Sequence, residues 1–468
     1  MIWNSLALVC GLAFSLMMAV IFVSSLRRSS FGWLIISVEY FNVLGLGVFP
    51  LLLSVNAIDM PQSAIDYESR NGELTVATFV HIFLFGLGAL FGYFGARPFA
   101  RKASLRIMSF AANNKLDNYS WFYIVSGLSI LFSGLYFGAV GFEIAIVTAS
   151  SARGNDFSGL VGFEQYQFLK TLAMIGLFSM VFVPYIILDR RRIKSTFLIV
   201  ALFTFPIYIL TVARGVFVDT FVLFAVFYIC FGRSRCGSII LLVVISSLMI
   251  FVFLFGKIFV GVLSVYLFGG GGFELAAKDE SASAMFFGHF GHLIYSIDAG
   301  IRNFFAHGPV LSPDILLSPL GFLPSFVFSA FGMDALSYQI VSDNVRLSCI
   351  NADYFSAESP CSFPPYYTGT SAYLFPVVGG LLFGVVKFWI YSVIEISWMR
   401  LMNRPQLLWF PVFLFFIATR LMLFIPNTIS FAFFMMISLL LTLNVKKIFV
   451  SRKQSACRQD EAVEKSAS

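Results

Sequence analysis

The sequence predicts an all-α polytopic membrane protein with about eleven transmembrane helices and one long outer loop. Three observations carry this. Hydrophobic residues make up 59% of the 468 positions and charged residues only 12%, against roughly 25% charged in an average globular chain. The mean hydropathy is +0.88. The few charges gather at the ends of apolar runs about twenty residues long, the length of a helix that crosses a bilayer. An open sheet would leave backbone groups unsatisfied in lipid, and a barrel would show alternating segments of about ten residues. The net charge of +7 does not mark a nucleic-acid binder, because the basic residues flank apolar runs and form no single face.

Span one is Ile2–Leu26, closed by Arg27 and Arg28; no basic residue precedes it, so a cleaved leader is not expected. Cys10 within it is read as a buried apolar residue. Span two, Phe31–Val55, runs into an acidic loop with Asp59, Asp66, Glu68 and Glu73. Span three, Thr75–Ala96, ends on Arg97, Arg101, Lys102 and Arg106. Span four is Asn118–Val140, and span five, Tyr166–Leu188, ends on Arg190, Arg191, Arg192 and Lys194. Spans six and seven, Ser195–Val212 and Val216–Gly232, form a hairpin with Arg214 at its apex. Span eight is Ser238–Gly256. Spans nine, ten and eleven are Gly369–Ile394, Leu407–Ile425 and Thr428–Asn444. The chain thus divides into helices one to eight (1–256), a large outer loop (257–368), helices nine to eleven (369–445) and a polar tail (446–468).

With the amino end outside, every basic cluster falls on the cytoplasmic side, 21 of the 31 Lys and Arg, while the acidic loop and the long loop face outward. Within the long loop, Cys349 and Cys361 are candidates for a disulfide, Gly269–Gly272 is a hinge lacking the lysine of a phosphate loop, and Tyr366 and Tyr367 stand where rings stack on sugars or anchor the interface.

The basic residues that escape the charge bias are the informative ones. Arg214 caps a hairpin, and Arg420 lies six residues before Pro426, about 9 Å below the end of its helix. A guanidinium at that depth is costly, so function is the default reading; the alternatives are pairing, as of Arg214 with Asp219, or snorkelling. Arg153 follows a stretch of small residues in an outer loop. Lys170 and Lys387 are read as snorkelling to the interface. Arginines converging on the outer leaflet suit a diphosphate, because the planar fork makes bidentate bonds to phosphate oxygens. His289 and His292 share one face if their segment is helical, and Asp298 and Arg302 pair at i, i+4. A histidine there is a candidate base or sugar-binding group, or simply packs. No HExxH or clustered cysteine suggests a metal, and no cofactor is expected.

Three features resemble the Wzy-type polymerases of bacterial O-antigen and capsular repeat units: the hairpin Thr211-Val-Ala-Arg-Gly-Val-Phe-Val-Asp, the single long outer loop late in the chain, and its exit Pro364-Pro-Tyr-Tyr-Thr-Gly-Thr-Ser-Ala-Tyr-Leu-Phe-Pro. Some members carry Arg, ten residues, then Gly in two outer loops; here Arg153 and Arg346 are followed at that spacing by Glu164 and Ala357. The resemblance implies a GT-C-like polymerase/ligase architecture in the bacterial inner membrane, with the amino terminus periplasmic and the carboxyl terminus cytoplasmic. It implies a glycosyltransferase that joins undecaprenyl-diphosphate-linked oligosaccharides, working beside a chain-length regulator and a flippase. Arg214, Arg420, Arg153 and Arg302 would then bind the diphosphate, and His289 or His292 would serve the acceptor hydroxyl. An O-antigen ligase and a flippase or exporter are the rival readings. A transporter should show a polar path through the bundle, whereas the membrane-embedded charges of this sequence are expected to cluster near one face.

Overall fold

The computed structural model describes residues 2–58, 60–113, 120–141, 169, 172–188, 193–211, 214–231, 244, 282–310, 329–332, 347, 349–355 and 366–423. Every regular element among them is helical: α1 (Ile2–Arg28), α2 (Phe31–Ser54, with a π-helical turn at Val43–Val48), α3 (Gln62–Asn71), α4 (Val76–Gly95), α5 (Arg97–Asn113), α6 (Ser120–Val140), α7 (Val183–Leu188, entered through a 3-10 stretch Met174–Phe182), α8 (Ile193–Thr211), α9 (Arg214–Phe231), α10 (Ala282–His307), α11 (Tyr366–Leu374), α12 (Val378–Leu401) and α13 (Trp409–Leu423). Five of these, α1, α2, α4, α6 and α12, are long and apolar enough to cross a membrane, and they match spans one to four and nine. Spans five, six, seven and ten appear as shorter apolar helices. Span eight (apart from residue 244) and span eleven lie outside the described residues.

The centre of the bundle is the pair α4–α12. A Cβ on Gly380 or Gly384 would meet the carbonyl oxygen of His81 or Phe85, and one on Gly88 or Gly92 the carbonyl oxygen of Leu381 or Val385, all closer than any real Cβ contact. Small residues at this spacing let two backbones touch, as in membrane helix pairs generally. The partner numbers rise together, so the two helices are parallel. α1 lies parallel to α4, with Met17 against Gly86 and the rings of Phe14 and Phe85 6.3 Å apart. α2 is antiparallel to α1, since Gly11 meets Gly47 and Gly32 meets Leu26. That is the alternation expected of spans one, two, three and nine.

Two ends follow. At the basic end stand Arg28, Arg97 and Arg400; at the acidic end Glu68, Glu73 and Asp298. α9 finishes at the basic end, where Phe227 stacks on Trp398 (5.3 Å) and Cys230 Sγ donates to Ser30 Oγ (2.8 Å). Arg214, sixteen residues earlier on the same helix, therefore starts it about 24 Å away, towards the acidic end.

α10 is part of the bundle. Phe290 packs on Phe41 (5.1 Å), Gly291 on the ring of Phe49, and Leu293, Ile294, Ile297 and Ile301 are buried. Its first half thus lies level with the middle of α2, and it climbs towards the acidic end. The 257–368 stretch contributes a packed helix as well as surface.

Candidate functional site

α10 carries Asp298 to the amino end of α4, and there the carboxylate is completely buried. A helix begins with unpaired N–H groups and a partial positive charge, which an anion satisfies. Oδ1 accepts from the Thr75 backbone N–H (2.8 Å), the Thr75 hydroxyl (2.9 Å) and the Thr78 hydroxyl (2.7 Å). Oδ2 accepts from the Tyr67 hydroxyl (2.9 Å) and from Arg302 Nε (2.6 Å). Arg302 Nη2 also donates to the Glu73 carbonyl oxygen (2.7 Å). One side chain thus ties α3, α4 and α10 together. A carboxylate offers about four lone-pair sites, so with five donors Asp298 has no capacity left to take a proton from a substrate. It positions Arg302, whose side chain keeps 28% of its surface exposed.

The surrounding groups lock α3 down. Tyr295 donates to Glu68 Oε1 (3.0 Å), and Asn71 Nδ2 donates to the carbonyl oxygens of Tyr67 and Tyr354 (both 3.0 Å). Burial pushes the Glu68 carboxyl above its ordinary value, although the Tyr295 hydrogen bond opposes this. Burial, then the nearby Asp298 charge, pushes the Tyr67 hydroxyl up strongly, so it stays a donor. Below them Asn351 donates to Ser296 Oγ and accepts from Tyr373, both at 3.0 Å. Cys349 is disulfide-bonded; Cys361, its expected partner, lies outside the described residues.

Beside this hub opens a cavity of about 560 Å³, within the range of ligand sites. Asn71, Asn303, His307, Asp353 and Tyr354 give it polar walls, and Pro309, Val310 and Ile350 apolar ones. Asn303 is only 5% exposed and its Nδ2 finds no acceptor among the described residues.

Among the expected site residues, Arg302 is at the hub, paired with Asp298 at i, i+4 as its spacing predicts. The helical segment puts His289 and His292 one turn apart, but His292 lies edge-on to the Phe355 ring (5.2 Å). His307, not His292, lines the cavity. For Arg214, His289 and Arg420 only the backbone is described, and Arg153 lies outside the described residues. Arg420 follows Phe415, whose ring meets Phe31 at the basic end of α2, by five residues, about 8 Å further towards the acidic end; this corrects its expected place at the outer face, because it leaves Arg420 in the half of the bundle nearer the basic end.

Lys387 corrects the expectation of a snorkelling side chain. It is nine residues into α12, about 14 Å from one end and 21 Å from the other. Its ammonium is 2% exposed and pairs with Glu39 Oε1 at 2.8 Å. Tyr391 donates to the same oxygen (2.8 Å) and Asn42 Nδ2 to Oε2 (2.7 Å), while the Tyr367 ring centre lies 5.3 Å from the ammonium. A third carboxylate, Glu395, accepts from Ser25 (2.6 Å), Ser29 (3.1 Å) and Tyr93 (2.5 Å) near the basic end. An acid inside an apolar run was the sequence signal for both Glu39 and Glu395, and it went unused.

No protein-family model matches the chain, and neither a curated protein nor a solved structure is similar to it.

Proposed function

We propose that this protein is a membrane glycosyltransferase that polymerises polyprenyl-diphosphate-linked oligosaccharide repeat units at the outer face of the inner membrane. The observation that carries this reading is the meeting, at the acidic end of the bundle, of a polar cavity with an arginine held by a buried carboxylate, Arg302 on Asp298. The start of α9, with Arg214, belongs to the same end. Two further facts support it. Basic residues gather at the opposite end, which the charge bias assigns to the cytoplasm. The bonded Cys349 suits an oxidising compartment.

In this reading an acceptor sugar hydroxyl attacks the anomeric carbon of the donor glycan. The bond from that carbon to the phosphate oxygen breaks, and polyprenyl diphosphate leaves with the bonding pair. The hydroxyl proton passes to a base; His307 lines the cavity, whereas the expected candidates His292 and His289 lie about 22 Å and about 27 Å further down α10. Guanidinium groups, Arg302 and Arg214 with Arg153, stabilise the charge growing on the leaving diphosphate. The fixed geometry of Arg302 spares it reorganisation as that charge develops.

Deletion of the gene tests the reading on a gel of surface glycolipids. Loss of a polymerase leaves core capped by a single repeat unit; loss of a ligase or flippase leaves core with none. Arg214→Ala and Arg302→Ala should each shorten or abolish the ladder, and a wild-type ladder from either one removes that residue from the site.

One observation favours a second reading, coupled transport. Polar groups occur at successive depths along α4 and α12: Asp298 with Thr78, His81 with Ser371 (2.9 Å) one turn on, Lys387 with Glu39, then Glu395 one turn after Tyr391.

A further inference from the structure

We propose that the cavity beside Asn303 binds a neutral, hydroxyl-rich ring, the acceptor sugar; its role as acceptor rests on the polymerase reading, its chemistry on the walls alone. Asn303 supplies the first requirement. The residue is only 5% exposed, yet Nδ2 has no acceptor among the described residues, while its neighbour Arg302 spends two donors on Asp298 and Glu73. A buried donor left unmade is costly, so a site that keeps one is shaped for an acceptor brought by something else.

The other walls say what that something is. Asp353 is an exposed carboxylate that only accepts, His307 can donate or accept, and burial raises the Tyr354 hydroxyl so that it keeps its proton. Donors and acceptors on one rim match hydroxyl groups, each of which does both. Pro309, Val310 and Ile350 offer the apolar wall that the C–H face of a sugar ring needs. A diphosphate is the wrong guest: among the described residues no Lys or Arg lines the cavity, and Asp353 would repel it.

The walls are also held before any ligand arrives, which lowers the cost of binding. Gly308 turns the chain off α10 with φ of 80° and its N–H returns to Phe304 O (2.8 Å), an ending that favours glycine. Val310 N–H reaches Tyr373 O (3.4 Å), and Asn71 pins the Tyr354 backbone.

The test uses the full-length protein in lipid nanodiscs. The probe is the repeat-unit oligosaccharide released from the host's own surface polysaccharide, with inorganic diphosphate as the anionic control, followed by saturation-transfer NMR and calorimetry. Wild type should bind the oligosaccharide, and Asn303→Leu and Asp353→Asn should each weaken it ten-fold or more without moving diphosphate affinity. Asp353 is exposed and Asn303 Nδ2 pairs with none of the described residues, so both variants should melt as wild type does. Should Asn303→Leu fail to fold, Asp353→Asn alone decides. Unchanged oligosaccharide affinity in a variant that melts normally overturns the proposal, as does displacement of the sugar by diphosphate. The two readings fail separately. Sugar binding that the variants abolish, in a protein whose deletion leaves the ladder intact, keeps the pocket and removes the polymerase. Wild-type ladders from both variants keep the polymerase and remove the pocket.

Discussion

Asp298 makes more connections than any catalytic role would allow, and its removal should register as loss of structure before loss of chemistry. In Asp298→Ala, Arg302 and the donors of Tyr67, Thr75 and Thr78 lose their acceptor in a buried site. Breaking such a pair costs about 3–5 kcal/mol, so the variant should melt well below wild type in detergent and expose α3 to protease. Glu68 gives a second prediction. Its raised pKa means that the folded protein holds this proton more tightly than the unfolded chain. Stability from this group therefore falls as pH rises from the ordinary carboxylate value through the raised one, and stays lost above it. Glu68→Gln should stabilise the fold near neutral pH and flatten that part of the melting profile against pH. Of this hub, the Asp298–Arg302 pair was legible in the sequence because it lies within one helical turn. Tyr67, Thr75 and Thr78 were not, being 231, 223 and 220 residues away in the chain, a separation that helical periodicity cannot bridge.

At the scale of elements, the α4–α12 seam makes the sharpest distinction between glycines. A Cβ at Gly384 would sit 2.4 Å from Phe85 O and one at Gly88 2.3 Å from Leu381 O, both rigid backbone. Relief requires the helices to part, so Gly384→Ala and Gly88→Ala should each destabilise by roughly 1–3 kcal/mol, the range for overpacked sites. On α6, Gly127 and Gly134 meet nothing within 4 Å. Gly127→Ala and Gly134→Ala should be neutral, or stabilising by up to about 1 kcal/mol through helix propensity. Thermal melts of the four variants in one detergent check both halves. The spans themselves were readable because lipid demands long apolar runs and basic flanks mark their ends. The burial of α10 was not. Its sequence, with three histidines, Asp298 and Arg302 in 26 residues, looks like aqueous surface until Asp298 is seen to find its partners on α3, at the start of α4 and on its own helix.

Among the described residues of the whole molecule three buried carboxylates lie at three depths, and the middle one decides between an enzyme and a transporter. Lys387 and Glu39 are joined across 348 residues of sequence with both side chains almost fully enclosed. Charges so placed are expensive, and by default such residues are functional. Yet a buried pair can also be a purely structural clasp, one that an apolar pair of similar volume replaces at little cost, whereas removing one partner strands the other. Glu39→Gln or Lys387→Met alone should therefore cost about 3–5 kcal/mol and lower the amount of folded protein. The double variant keeps one acceptor oxygen, for Asn42, with an amide N–H that can donate to the Tyr391 hydroxyl oxygen, and it keeps the stem that packs near Phe85 and Tyr367, so it should recover most of that stability. Its phenotype then carries the information. If the chemistry takes place at the Asp298–Arg302 end, the recovered double variant makes a full-length ladder in cells, because the ion pair serves only to hold α2 against α12. If charge must move along α4 and α12, the double variant folds and remains inactive, and core without repeat units replaces the ladder. A folded, silent double variant would thus transfer the function from the acidic end of the bundle to its middle.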